Sequence, residues 1–443
     1  MKPSRNPYRD EVDFKALALQ SPDFAKYLKD NGQLDFSDPA AVRQLTTSLL
    51  ARDFKLTVDL PPDRLCPPVP NRLNYILWLQ DLLDTTGRKF SDEYDPERPV
   101  VGLDIGTGCC AIYPCLGCSL RPQWKFIATD IDDKNIELSR RTVSQNNLSP
   151  RINIVKTTSE DPLIPDPSTY GYERLDFTMC NPPFYSSEDD MVSAAAAKNR
   201  PPFSACTGAK VEMITPGGEV AFVSQMIEES LRLRDKIQWY TTMLGKLSSV
   251  SVIVQNLLDC GNKNWAVTEF VQGNRTKRWA VGWSWSDLRP AVDAARGFTS
   301  SSIPKHLLPF PSEFTFHASS TSIDQVCRDV DGQMRALPRA AWTWRPARSR
   351  GVLLVKEDVW SRRARRKLQQ QQQQQQQQDQ DKPHSPSADV DDRNAALGVA
   401  IQFKQEIDTS RGPTVLIRWL KGSDHVLYES FCGMLKRKLT KKS

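Results

Sequence analysis

The tetrapeptide Asn181-Pro182-Pro183-Phe184 is the stretch of this chain whose residue types point most directly to chemistry. Two consecutive prolines fix the backbone and remove two N–H donors. The turn therefore displays acceptors: the Asn181 side-chain oxygen and the Pro182 carbonyl. An exocyclic amine on an aromatic ring offers two N–H donors and a lone pair delocalised into the ring. Two stiff acceptors holding those hydrogens favour a pyramidal nitrogen and aim its lone pair at an electrophile such as a sulfonium methyl. Catalysis of that kind comes from positioning and fixed dipoles, with no metal and no strong base. The first histidine of the chain is His306, which is consistent with this. Phe184 offers a ring for a target base to stack on, worth about 1–3 kcal/mol per base, once the base has left its own stack. In isolation the same residues read as a proline turn beside a core phenylalanine.

A second group supplies the context. Val100 to Leu103 reads as a short buried strand that runs into Asp104-Ile105-Gly106-Thr107-Gly108. Glycines there let the backbone turn tightly and approach a ligand closely. The stretch is neither a Walker loop nor a full Gly-x-Gly-x-x-Gly, because Cys110 and Ala111 follow; a shorter glycine pair suits a cofactor without a pyrophosphate. Asp130 ends the next apolar run, where a carboxylate can accept both ribose hydroxyl hydrogens of a nucleoside. The plain alternative for such a residue is a helix cap.

These residues need a sheet to bring them together. Apolar runs at 100–103, 125–128, 152–155 and 175–179 alternate with helical patterns such as 133–146, which predicts a parallel sheet covered on both faces. Val220 to Gly245 reads as one or two helices, Val250 to Val254 as a strand, and 265–271 with 279–285 as an antiparallel hairpin. The fold class is α/β: a Rossmann-like domain over 91–287, preceded by a helical extension over 1–90 with an N-terminal arm. Within that extension Ser37-Asp38-Pro39 marks a helix start. A linker is expected at 288–312 and a small α+β domain over 313–443. A glutamine tract makes 369–395 an expected disordered insert.

Residues 1–285 resemble the METTL-type RNA N6-adenine methyltransferases that modify U6 small nuclear RNA. More distantly they resemble the bacterial methyltransferase of a large-subunit ribosomal RNA adenine. The matching stretches are Ser21 to Phe24, Phe36 to Leu50, Val69 to Tyr75, Leu103 to Gly108, Cys180 to Phe184, Trp239 to Lys246, Thr268 to Phe270 and Arg275 to Trp279. The resemblance implies a Rossmann-like S-adenosylmethionine-dependent methyltransferase, with the cofactor held by Arg72, Gly106, Asp130 and Asn181. It also implies a lysine-bearing gating loop after the third strand. This chain instead has Thr157-Thr158-Ser159-Glu160-Asp161, so that Asp161 stands at a cofactor-contacting position.

The charge distribution fits a polyanionic partner. The 443 residues carry a net charge of +6, a mild excess that is unevenly spread. Arg5 and Arg9 sit in the N-terminal arm, Lys198 and Arg200 after the reaction motif, and Arg275, Lys277 and Arg278 before Trp279. Singly these read as solvated charges; together they read as an RNA track. A denser cluster, Arg345 to Lys367, is interleaved with Trp342, Trp344 and Trp360, and reads as an RNA grip, a nuclear-localisation signal, or both. The expected partner is RNA, U6 small nuclear RNA first, in the nucleus with the cytoplasm as a second compartment. Methylation of protein glutamine or of DNA adenine uses a similar motif and stays open. So does an RNA-binding protein with an inactive site. Ten cysteines, four of them between 109 and 118, show no second ligand pair for zinc and read as packing residues of a reducing compartment. No metal is expected. The N-terminus lacks an apolar signal core and no run of 18 apolar residues occurs, so a soluble intracellular protein is expected.

Overall fold

A computed structural model describes residues 5–196, 208–272, 276–297, 303–378, 390–405 and 412–440. The chain forms two compact units: Met1–Leu83 with Tyr94–Ser286 and Asp293–Pro309, and Asp84–Glu93 with Asp287–Val292 and Phe310–Ser443.

Four helices open the first unit: α1 (Phe14–Gln20), α2 (Pro22–Ala25), α3 (Pro39–Phe54) and α4 (Val69–Thr85). The start of α3 follows from its sequence. The Asp38 side chain accepts the Ala40 N–H, Pro39 takes the first helical position, and Lys55 ends the helix in a left-handed conformation. The sheet follows as β1 (Val100–Ile105), α5 (Ile112–Leu120), β2 (Trp124–Asp130), α6 (Asp133–Gln145), β3 (Ile152–Lys156) and β4 (Leu175–Cys180). Next come α7 (Glu188–Ala196), α8 (Lys210–Met213), α9 (Gly218–Leu233), β5 (Ile237–Leu244), α10 (Leu247–Asp259), β6 (Trp265–Gln272) and β7 (Thr276–Trp283).

The strand order is β3-β2-β1-β4-β5-β7-β6. The first five strands pair in parallel and β7 runs antiparallel between β5 and β6. Buried residues from α3, α4 and α5 form one core with the sheet, and those of α9 and α10 form a second. This is the doubly covered sheet that the alternating pattern requires.

Two elements differ from the sequence reading. Residues 220–245 are not all helical: α9 ends at Leu233 and Ile237–Leu244 is β5, an interior strand of the sheet. Its Trp-Tyr-Thr-Thr run favours a strand, and a break at Arg234–Lys236 separates the two. Val250 to Val254 is not a strand but part of α10. Val250, Ile253, Val254 and Leu257 are buried at helical spacing while Val252 stays exposed. The segment read as a linker also contributes packing to the first unit, with Ala294, Ala295, Ile303 and Leu307 buried.

Helix α11 (Val292–Arg296) belongs to the first unit from its second residue on. The second unit holds β8 (Glu313–His317), α12 (Ile323–Arg335), β9 (Ala340–Arg345), β10 (Arg350–Val355), α13 (Arg362–Gln378), β11 (Leu397–Lys404), β12 (Thr414–Lys421) and α14 (His425–Thr440). Its antiparallel sheet has the order β8-β12-β11-β10-β9. The buried faces of α12 and α14 share one core with it. Helix α13 carries the glutamine tract through Gln378, where disorder was expected from 369. Glutamine is a good helix former, and the tract extends a helix already begun at Arg362. Residues 379–389 of that insert lie outside the described residues. Arg418, on β12 and 3% exposed, ties the unit's segments together. Its guanidinium donates to the carbonyls of Thr85, Arg289, Pro290 and Trp419 at 2.8 to 3.2 Å.

Candidate active site

Register alone brings the three motifs side by side. Ile105 pairs with both Thr129 and Cys180 across the sheet. The next residue on each strand is Gly106, Asp130 and Asn181, so all three stand at adjacent carboxyl ends, where open α/β sheets bind ligands. A cavity of about 440 Å³ opens there, lined by Arg72, Gly106, Gly108, Asp130, Asp161 and Asn181 among others.

The glycine bend is built for close approach. Gly106 has φ +71°, a left-handed conformation, and a Cβ placed on it would meet no atom within 4 Å. Its N–H and that of Thr107 donate to the Thr129 carbonyl at 3.0 and 2.9 Å, locking the turn against β2. The position three residues after Gly108 is Ala111, which also adopts a left-handed φ of 44°.

Asp130 faces the cavity with an ordered carboxylate. One oxygen accepts the Gly108 N–H at 2.9 Å and the other the Asp132 N–H at 2.9 Å. Burial raises its pKa, and these backbone donors oppose the rise. Asp104 is fully buried behind the bend and accepts a hydrogen bond from Thr107 Oγ1 at 2.7 Å. Burial, with Asp130 nearby, pushes its carboxyl up to about 7.

Arg72 lies in the first turn of α4 and is 6% exposed. Its Nη1 donates to the Tyr113 hydroxyl at 2.9 Å and to Asn181 Oδ1 at 3.0 Å. A carbonyl oxygen has two lone pairs, so Asn181 is oriented by the guanidinium and keeps acceptor capacity. Tyr113 had no signal in the sequence that marked it as a site residue.

Behind the reaction turn stands a polar scaffold that the sequence reading also missed. Glu219, 3% exposed, accepts the N–H groups of Gly245 and Lys246 at 2.7 and 3.2 Å. Tyr185 exchanges backbone hydrogen bonds with Met213 and Thr215. Phe184 does not line the cavity directly; the Arg278 guanidinium lies over its ring, 5.5 Å from the centroid. Burial, with Arg72 nearby, lowers the Arg278 pKa. Pro183 lines the cavity, and the neighbouring Pro182 is buried.

The other expected RNA contacts are dispersed. Arg5 donates to Gln80 at 3.1 Å, pairs with Asp81 and lies beside the Tyr94 ring; its charge is engaged within the fold. Arg9 is exposed and pairs with Asp10, and Lys277 pairs with Glu269 at 3.1 Å. Lys198, Arg200 and Arg275 lie outside the described residues. The Asp161 carboxylate accepts the Thr158 N–H and hydroxyl at 2.8 and 2.9 Å, capping its own loop at the cavity rim.

The site fits S-adenosylmethionine by several independent features. Arg72 has a buried Nε without a hydrogen-bond partner and no acidic partner among the described residues, which suits a carboxylate. Asp130 suits a ribose, the open cradle at Gly106 suits a close-lying ligand, and the half-exposed Ile131 on the lining offers an apolar flank for a base. Among the described residues no cluster of three His, Cys, Asp or Glu groups could hold a metal, and no helix is long and apolar enough to cross a membrane.

A doubly covered sheet with the Asn181 turn and the Asp130 carboxylate opening on one cavity is the arrangement of a Rossmann-like methyltransferase. Comparison with known proteins narrows the class. Residues 1–287 match a family model described as RNA methyltransferase, and the chain belongs to that family. It is 36% identical over 410 residues to the U6 small nuclear RNA (adenine-(43)-N(6))-methyltransferase of Schizosaccharomyces pombe, covering 92% of this chain and 96% of that one. The Homo sapiens RNA N(6)-adenosine-methyltransferase METTL16 is 41% identical over 291 residues, 64% of this chain and 50% of that protein, so this chain spans about half of that relative's length. The crystal structure of the N-terminal domain of human METTL16 in complex with SAH superposes with a TM-score of 0.52 at 38% identity, covering 64% of this chain and 98% of that domain.

Proposed function

We propose that this protein transfers a methyl group from S-adenosylmethionine to the N6 amine of an adenine in structured RNA, with U6 small nuclear RNA as substrate and the nucleus as its place of work. The observation that carries the reading is the register that sets Asn181 beside Gly106 and Asp130 on one cavity. The cofactor supplies an electrophilic methyl on sulfur. The chain supplies position. Arg72 fixes the Asn181 amide, and the Asn181 oxygen with the Pro182 carbonyl accepts the two amine hydrogens, which turns the nitrogen lone pair outward. Phe184, backed by Arg278 on one face, offers its ring to the extruded base. The proton released on methylation needs no strong acceptor in the site, since the methylated amine cation is acidic and loses it to water.

The choice of RNA rests on the family, on the fission yeast relative's name, and on the second unit. There Arg362, Arg363, Arg365, Arg366 and Lys367 form an exposed basic start to α13, with no acidic partner among the described residues. Such unpaired cations suit phosphates. We assign the catalytic domain to 91–287 with the helical extension 1–90 before it, and the RNA grip to 313–443. The deciding measurement is mass spectrometry of nucleosides from cellular RNA fractions after loss of the protein. N6-methyladenosine should fall in the small nuclear fraction; unchanged levels in every fraction would refute the reading.

A further inference from the structure

One wall of the cavity is the loop between β3 and β4. Thr157, Thr158, Ser159, Asp161, Pro162 and Leu163 all line it. The loop is anchored at both ends. At the near end the Thr157 N–H donates to the Asp130 carbonyl at 3.0 Å. At the far end the N–H groups of Leu163 and Ile164 donate to the two carboxylate oxygens of Glu229 at 3.2 and 2.7 Å. Glu229 lies on α9 and is 6% exposed. Gln225, one turn earlier on α9, donates to the same carboxylate at 3.0 Å and itself lines the cavity. Between the anchors, Asp161 caps Thr158.

A carboxylate that accepts two adjacent backbone N–H groups makes charge-assisted bonds, roughly twice as strong as neutral ones. Glu229 does not face the cavity, so it touches no ligand. Its position is otherwise unexplained: a buried acid with no cationic partner within ion-pair distance among the described residues. We propose that Glu229 is a positioning residue for cofactor binding, which holds residues 157–164 as a fixed wall of the adenosyl pocket. The proposal rests on reading this cavity as the S-adenosylmethionine site. A wall held at both ends lowers the ordering cost of binding.

Glu229→Gln tests it. A neutral amide keeps one acceptor oxygen and turns an NH2 toward the second N–H, so one anchor is lost and nearly the same volume is kept. Calorimetric titration of the full chain with S-adenosylhomocysteine should show binding weakened roughly tenfold, the scale of one charge-assisted hydrogen bond. Hydrogen exchange should rise at residues 158–164, KM for the cofactor should rise with kcat largely held, and RNA affinity should stay within about twofold. The exposed neighbour Glu228→Gln should change none of these. A variant with a lowered melting temperature but unaltered ligand affinity would show a purely structural role and overturn the proposal. If Glu229→Gln does not fold, the shorter Glu229→Asp is read in the same titration, and equal affinity there overturns it as well. Wild-type protein that fails to bind S-adenosylhomocysteine would instead overturn the reading of the cavity.

Discussion

At the scale of single residues, the proposed reaction depends on fixed acceptors and buried charge. In the proposed reaction Asn181 is the residue whose oxygen meets the amine, and its side chain accepts a hydrogen bond from Arg72. Asn181→Ala should therefore lower the single-turnover rate by about a hundredfold or more, while RNA affinity, dominated by phosphate contacts, stays nearly constant. Unchanged turnover would remove its assigned role. Asp104 yields a pH prediction. Its carboxyl is ionised in the unfolded chain above about pH 4 but in the folded protein only above about 7. The fold thus binds the proton more tightly, and stability falls as pH rises from about 4 to about 7. Asp104→Asn lacks that loss and keeps an oxygen for the Thr107 hydroxyl. Thermal unfolding across this range should show the difference moving in favour of the variant as pH rises; a constant difference would contradict the assignment. The motif residues were legible because strand-end glycines, carboxylates and prolines have local meaning. Glu219 and Glu229 were not, because their roles depend on backbone groups far away in sequence; nor was Tyr113, whose partner is the side chain of the distant Arg72.

At the scale of elements, β1 is packed too closely on its neighbour to admit a side chain at Gly102. A Cβ on Gly102 would lie 2.2 Å from the Phe177 ring, which is fully buried against Trp124 and Phe126. Gly102→Ala overfills that layer and should destabilise the first unit by about 1–3 kcal/mol. Adding Phe177→Leu should recover part of it in a denaturant titration, and absence of any recovery would place the strain elsewhere. The parallel strands β1 to β4 and the final hairpin could be read from apolar runs alone. The strand β5 and helix α10 could not. Both are apolar, β-branched stretches in which burial on one face or two decides the outcome, and that information lies in their neighbours. The strand β9 was hidden among basic residues and tryptophans; Trp342 and Trp344 stack on one another along its length.

At the scale of the whole molecule, charge is distributed unequally in function. Arg348 and Arg350 of the C-terminal cluster pair with Glu93 and Asp92 inside the second unit, and Trp360 is buried in its core. What the sequence showed as one basic cluster divides into charges that hold the unit together and charges left on α13. Replacing Arg362, Arg363, Arg365, Arg366 and Lys367 by glutamine should weaken RNA binding and flatten its salt dependence, leaving S-adenosylhomocysteine affinity unaltered. An identical salt slope in the variant would show that these residues make no phosphate contacts.

The second unit is assembled from three separate stretches of chain, knotted by Arg418. A ribosome delivers residues 84–93 long before β12 exists to receive them. That stretch must wait while Tyr94–Ser286 is made, and most of its unit, from Phe310 on, comes later still. Shortened versions of the gene that stop after the first sheet would release a ribbon carrying Asp92 and Glu93 with nothing to dock on. Any clipped form intended to isolate the chemistry needs that ribbon redesigned along with the cut.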